Sequence, residues 1–473
     1  MRNPMRLLVL LTTVLLAACT SPAGPQESGI SLPSIWTSLI GSTDAPMKDA
    51  PMKDAPLTTS SDVEVEHDWW KHFDDATLGA LVAEAFANNK TLQIAKARVE
   101  EARANRAIAR SRLLPEINGV ASASRGNQGL LTNDKTIGIA DVEVDASWEL
   151  DLFGRNQALT AEAAAILQSE EAGGQAIRIA LLAEVARNYF DMRNFERQIA
   201  LTKQNLETQE KTLELTQAQL QGGFASDFDV QRAGAQVSTT EALIPVLQTA
   251  YDAALVRLNI LLGYPPGSKD VLLKTVQELK PLDPHILIAA PATVLATRPD
   301  IRVAERRFAA SLSAKEAATA ELFPDISLTA FFGAQASTPL SATPWGVGLN
   351  LVQPILNFGR IESQIDVADA QQKQAFLNYQ QTVLEALENM ENALSSYLRE
   401  TTRNASLTTA VAQNRKAEDL ARQQYGNGFT SLLDVLVAQR NLLDAEASKA
   451  SSDASLRKDL VAIYTAAGGG WRD

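Results

Sequence analysis

The chain is 473 residues long, with 45% hydrophobic, 21% charged and 6% aromatic content, enough for two to four ordinary domains or one extended architecture and too apolar for a disordered polymer. Lys and Arg number 43 against 56 Asp and Glu, a formal charge of -13, which argues against a basic face that grips nucleic acid. One cysteine and three histidines exclude a disulfide framework and a multi-cysteine zinc site.

Arg2 and Arg6 precede an uncharged apolar run, Leu7 to Leu16, that is too short to span a bilayer and reads as a secretory signal over residues 1–18. Leu16-Ala17-Ala18-Cys19 puts the sole cysteine directly after the small-residue cleavage site. This resembles a bacterial lipoprotein lipobox, which implies that Cys19 is the lipid attachment site, with several acyl chains where one alone would anchor marginally. Thr20 follows, in place of the Asp associated with inner-membrane retention. Residues 19–66 are rich in Pro, Ser, Thr and Asp and carry a tandem duplication over 44–53. They read as a lipid-anchored tether, with order expected to begin near Trp69 and Trp70.

An internal duplication organises the remainder. Phe153-Gly154-Arg155 recurs as Phe358-Gly359-Arg360, GGFASDFDV from Gly222 recurs as NGFTSLLDV from Asn427, and Gly263 recurs as Gly468, all at an offset of 205. The reading is one repeat over 67–262, a linking segment over 263–298, a second repeat over 299–467 and a tail over 468–473.

Each repeat begins with a helical pattern, in the first copy Leu78, Leu81, Val82, Ala85, Leu92, Ala95 and Val99 on one face of a helix spanning Thr77 to Leu113. A β-hairpin follows, over 115–152 and again over 324–357. Asp141 to Leu152 alternate strictly, with Val142, Val144, Ala146, Trp148, Leu150 and Leu152 set against Asp141, Glu143, Asp145, Ser147, Glu149 and Asp151. Residues 326–359 carry no charge, yet Pro339, Pro344 and Pro354 forbid a transmembrane helix. A membrane hairpin suits them.

Long helices are expected over Arg155 to Gln221 and Arg360 to Tyr425, on the order of 100 Å each at about 1.5 Å per residue. Val185, Met192, Ile199, Leu206, Leu213 and Leu220 recur every seven residues and predict a coiled-coil seam. Tight turns over 222–226 and 426–431 end these helices, and Ser226 with Asp229 and Ser431 with Asp434 have capping-box spacing for the returning helices. Four amphipathic strands cannot close a barrel, and an open edge cannot lie in lipid. The hairpins must therefore be shared among protomers.

At this point the chain resembles the outer membrane factors, the TolC-like family, and within it the lipoprotein exit ducts of resistance-nodulation-division efflux systems. The carriers are Trp69-Trp70-Lys71-His72-Phe73-Asp74, Trp148 to Arg155, Arg298-Pro299-Asp300-Ile301 and Gly468-Gly469-Gly470-Trp471. The resemblance implies an α+β membrane protein: a homotrimer with a twelve-stranded β-barrel continuous with a twelve-helix coiled-coil α-barrel, two repeats per chain. It implies a location in the bacterial outer membrane with a long periplasmic extension. It further implies a passive channel that works with a periplasmic adaptor and an inner-membrane pump, without cofactor, metal or catalysis. No GxSxG, P-loop or HExxH motif stands against that. A lipid-anchored adhesive coiled coil or a periplasmic adaptor are the alternatives, and neither would need two amphipathic hairpins.

Two sets of site residues follow. The turns, with Gly222, Gly223, Phe224, Gly426, Gly428 and Phe429, are the expected docking tips for an adaptor's helical hairpin. The family's gate maps onto Asp229, Tyr425 and Asp434, with an expected phenol to carboxylate bond between Tyr425 and Asp229, and with clustered carboxylates at Asp434 raising their own pKa values. The competing reading makes both aspartates simple helix caps.

Overall fold

The computed structural model describes residues 28–33, 35–38, 57–60, 65–127, 136–273, 280, 286–337 and 340–471. Cys19, the signal segment and the tandem duplication lie outside them. In chain order the elements are β1 (Leu57–Ser60), a 3-10 turn (Trp69–Phe73), α1 (Ala76–Asn88), α2 (Lys90–Ser111), β2 (Glu116–Gly126), β3 (Ile137–Glu149), α3 (Arg155–Gln221) and α4 (Asp227–Leu261). There follow α5 (Asp270–Leu273), β4 (Ile286–Ala289), α6 (Pro291–Thr297), α7 (Pro299–Ala320), β5 (Asp325–Ser337), β6 (Leu340–Ala342), β7 (Trp345–Val352), α8 (Arg360–Gly426) and α9 (Leu432–Ala466). Two compact units emerge: one from the chain up to Ile30 with Ala95–Gly174 and Asp300–Val383, the other from Ser31–Ile94, Gln175–Pro299 and Leu384–Asp473.

The first unit holds the sheet. β2 pairs antiparallel with β3, β3 with β5, and β5 with both β6 and β7. The two expected hairpins are therefore joined edge to edge within one chain by β3 and β5, and the three-residue β6 is an addition to the four strands read from the sequence. Beneath the sheet, α7 lies against the first part of α3 through small residues, with Ala165, Ala309 and Ala310 forming a buried cluster. The Ser169 hydroxyl donates to the Val303 carbonyl at 3.4 Å. At the two strand ends Phe153 and Phe323 stack with centroids 4.8 Å apart.

The second unit has the main apolar core, in which Trp69, Leu78, Leu182, Tyr189, Phe190, Leu258 and Val461 are fully or almost fully buried. Trp69 stacks on Tyr464 at 5.6 Å with ring planes 5° apart. A Cβ on Gly469 would overlap the Glu66 carbonyl and one on Gly470 would come 2.7 Å from Leu182, so the glycine run near the C-terminus is set by close backbone approach to this core.

Three expectations need correction. The tether is not structureless over its described part: Trp36 is completely buried in the core of the second unit and β1 pairs parallel with β4. A large indole recovers enough apolar burial to hold an otherwise polar segment. The single helix from 77 to 113 breaks at Asn89, whose side chain accepts from Leu92 N–H at 3.1 Å and donates to the Leu261 carbonyl at 2.8 Å. One amide thereby caps the start of α2 and the end of α4.

The third correction concerns the seam of α3. Val185 and Met192 are fully buried, but Ile199, Leu206, Leu213 and Leu220 are only half-buried. Besides Leu201, the buried residues over this stretch are Thr202, Asn205, Gln209, Thr212 and Thr216, spaced 3, 4, 3 and 4 residues apart as a seam requires but with polar side chains. Gln439 of α9 donates to Thr212 Oγ1 at 2.9 Å, and Asn205 donates to Glu446 at 3.0 Å, which also takes Arg415 at 2.6 Å. Hydrogen bonds thus satisfy Asn205 and Thr212 on this line, while Leu213 packs against the cluster of Tyr425, Leu432, Val435 and Leu436.

Candidate functional site

The strand face is the first candidate. On β3 Val142 and Val144 are exposed, Val142 at 62%, while Asp141, Glu143 and Asp145 on the opposite face are half-buried, as are Ile137 and Ile139 nearer its start. Trp345, Val347, Leu349 and Leu351 of β7 are likewise strongly exposed, Trp345 at 73%. The acidic side is internally paired: the Asp141 carboxylate accepts from Ser122 on β2 at 3.1 Å and from Gln335 on β5 at 2.7 Å. This sheet is inside out relative to a water-soluble one, which would bury its valines and solvate its aspartates. Among the described residues no helix is long and apolar enough to cross a membrane.

Among the described residues, β2 and β7 each pair with a strand on one side only. A row of unpaired N–H and C=O groups next to an apolar face cannot be left in hydrocarbon.

The turns of the helical hairpins are the second candidate, both in the second unit. Gly223 and Gly428 adopt φ of +77° and +76°, the left-handed conformation that ends a helix and that glycine takes without Cβ strain. Phe224 N–H bonds back to the Gln219 carbonyl and Phe429 N–H to the Gln424 carbonyl, each at 2.8 Å. A Cβ on Gly222 would lie 2.9 Å from the exposed Phe224 ring, whereas Gly426 faces open space. Phe224 and Phe429 are 88% and 82% exposed. Large aromatics at matching positions of two turns, presented to solvent, are the kind of surface that a partner covers.

Asp229 and Asp434 complete reciprocal capping boxes with Ser226 and Ser431. The hydroxyl and backbone N–H of Ser226 hold the Asp229 carboxyl below its ordinary range. Asp434 is lowered by the Ser431 hydroxyl, then by Thr430, whose Oγ1 donates at 2.9 Å, and by the Ser431 N–H. Within the chain these bonds act opposite to the rise expected of clustered carboxylates, and both groups stay ionised.

The expected Tyr425 to Asp229 bond is absent. Tyr425 is 8% exposed, its ring packed with Ala233, Leu432, Val435 and Leu436, and its hydroxyl lies 3.3 Å from Thr216 Oγ1. Apolar burial draws the ring into the hairpin while the cap turns the Asp229 carboxylate back onto its own helix. Thr216 was missed from sequence because its signal is only one step of the polar 3-4 spacing along α3. His72 lies between Tyr464, 2.9 Å from Nδ1, and Glu66, 2.8 Å from Nε2, and His67 meets Trp471 edge-on at 5.3 Å. Among the described residues no group of three or more His, Cys, Asp or Glu could hold a metal ion.

The family model described as outer membrane efflux protein matches residues 81–264 and 290–469. Nodulation protein T of Rhizobium leguminosarum bv. viciae is 31% identical over 410 residues, covering 85% of this chain and 84% of that protein. The pyoverdine export outer membrane protein OpmQ of Pseudomonas aeruginosa is 29% identical over 473 residues, covering 97% and 95%. The solved structure of the outer-membrane channel OprN is similar with a TM-score of 0.86 at 32% identity, covering 95% of this chain and all of that one. An inside-out sheet with open edges, long capped helical hairpins and a match across both halves lead to one conclusion: the chain belongs to the outer membrane efflux protein family and is an efflux channel of the outer membrane.

Proposed function

We propose that three copies of this chain close a twelve-stranded barrel above a twelve-helix α-barrel, forming a passive duct for small molecules from periplasm to exterior. The observation that carries the assembly is the single sheet with apolar residues outward and unpaired β2 and β7 edges. Joining β7 of one copy to β2 of the next satisfies both edges. Two copies would leave an interior filled by side chains, and three open a water-filled lumen. The Asp141, Glu143 and Asp145 face then lines that lumen.

In this reading the chain consists of two repeats, 67–262 and 299–467, joined by an equatorial segment over 263–298 and closed by a tail over 468–473. The equal φ at Gly223 and Gly428 and the two capping boxes support the duplication. Acylated Cys19 adds a lipid anchor. Transport is driven from outside the chain, by an inner-membrane pump of the resistance-nodulation-division type reached through a periplasmic adaptor. The tips bearing Gly222, Gly223, Phe224, Gly426, Gly428 and Phe429 receive that adaptor. Asp434 and Asp229, exposed and ionised at the tips, set the charge of the closed end, and Tyr425 braces it from within the hairpin through Thr216.

Single-channel recording in a planar bilayer tests the reading. A stable pore from a crosslinkable trimer is the expected result, and an adhesive coiled coil or an adaptor would form none.

A further inference from the structure

The duplication extends into the sheet. Leu114-Pro115-Glu116-Ile117 at the start of β2 recurs 209 residues later as Phe323-Pro324-Asp325-Ile326 at the start of β5, and Phe153-Gly154-Arg155 after β3 recurs 205 residues later as Phe358-Gly359-Arg360 after β7. β2 therefore corresponds to β5, and β3 to β7. Strand pairing keeps this correspondence residue by residue. In the first hairpin Glu116 faces Ser147 and Val120 faces Glu143. Moved by the two offsets, these become Asp325 with Val352 and Thr329 with Gly348, which are pairs of the second hairpin. Both repeats thus fold in one register, set by the same alternation of faces.

Inside the chain the first repeat meets the second through β3 and β5. There Asp145 faces Phe331, Ser147 faces Thr329, and beyond the strands Phe153 stacks on Phe323 at 4.8 Å. The corresponding junction from the second repeat back to the first would join β7 to β2, which one chain cannot do because four strands do not close. The residues that correspond to the stacked pair stand open: Phe358 is 91% exposed and Leu114 64%. Phe358 also has φ of +52°, a conformation that a bulky residue keeps only where its surroundings hold it.

We propose that the junction inside the chain is the template for the junction between copies. β7 pairs with β2 of the neighbouring copy so that Val352 lies opposite Val120 and Asn350 opposite Ser122, and the Phe358 ring packs on Leu114 of that copy. The inference rests on the closed trimer proposed above and adds which residues meet. Chemistry on the two faces agrees with this register. Exposed Leu349 and Leu351 come opposite Ala123 and Ala121, apolar against apolar. Asn350 comes opposite Ser122, which is on the acidic face, where its hydroxyl donates to Asp141 at 3.1 Å. The backbone bonds transfer as well: Leu150 N–H donates to the Ile326 carbonyl at 2.9 Å, so Ile355 donates to Ile117 of the next copy. Asn350 and Ser122, five residues along each strand, then form a non-hydrogen-bonded pair, where facing side chains are closest.

The test is disulfide formation in the full-length protein in outer membranes, read on non-reducing gels after heat dissociation. Asn350→Cys with Ser122→Cys should give covalent trimers, because a disulfide needs Cβ atoms about 3.5–4.5 Å apart and such a pair is close to that. Asn350→Cys with Val120→Cys, or with Ser124→Cys, places the cysteines on a diagonal about 7–8 Å long and should leave monomers. Crosslinking at either diagonal pair with none at Ser122 overturns the register. A double-mutant cycle tests the ring contact: Phe358→Ala and Leu114→Ala should each lower the temperature at which the trimer dissociates, and together by less than the sum of the two shifts. Additive shifts overturn the contact. Failure of the trimer itself is separately visible. A wild-type protein that gives neither amine-crosslinked trimers nor bilayer pores refutes the duct and this interface with it, whereas a conducting trimer that forms no Asn350 to Ser122 disulfide refutes the interface alone.

Discussion

Adjacent residues near the middle of β3 should respond in opposite ways to substitution. Val144 is exposed on the apolar face and Glu143 is half-buried on the acidic face, 62% exposed Val142 marking the outward side. Val144→Arg puts a guanidinium on the lipid side near mid-strand, where the cost is about 2–4 kcal/mol per site. In a trimer the cost recurs in each copy, on the order of 6–12 kcal/mol per barrel, which is comparable with the whole stability of many folded domains. Glu143→Gln removes one charge from the inner face and leaves a side chain of the same size opposite Gly333. The assay is the yield of crosslinkable trimer in the outer-membrane fraction. Val144→Arg should abolish it, and Glu143→Gln should leave it near the wild-type level while lowering cation preference in bilayer recordings. Equal tolerance of both substitutions, or loss of trimer with Glu143→Gln, would refute the assignment of faces and with it the closed barrel.

The other predictions concern the tips and the core. Phe224→Ala with Phe429→Ala removes two exposed rings, so trimer stability should change by less than about 0.5 kcal/mol per site while site-specific crosslinking to the adaptor is lost. Asp434→Asn with Asp229→Asn should increase single-channel conductance if the tip charges gate the duct, and unchanged conductance with a small drop in melting temperature would leave them as caps alone. The folded pKa values of both aspartates lie below the unfolded value of 3.8, so the cap contribution is fully present above about pH 4 and fades as pH falls through the lower folded values. A melting curve that weakens toward neutral pH through these groups would contradict the caps. Trp36→Ala empties a fully buried indole site and should cost about 3–5 kcal/mol locally, read as new protease cleavage before Trp69 in an otherwise intact trimer.

What could be read in the sequence and what could not divide along a physical line. Strand alternation at Asp141 to Leu152 depends only on successive side chains pointing to opposite faces, and the long helices depend on uninterrupted helix-forming stretches ended by glycine. Those are properties of neighbours in the chain, so β3, α3, α8 and both turns lie close to where the residues predict them. The capping aspartates were legible for the same reason, their bonds spanning three residues. Which of two interleaved lines on α3 becomes buried is not local: the leucine line was visible, yet Gln439 and Glu446, far away in sequence, supply hydrogen-bond partners to the buried Thr212 and Asn205. Nor could spacing show that Tyr425 turns inward to Thr216, that Asn89 finds the end of α4, or that Trp36 has a site waiting in the second unit. A polar or aromatic side chain commits to burial only when distant elements complete its hydrogen bonds or cover its surface, and that completion is decided by tertiary packing.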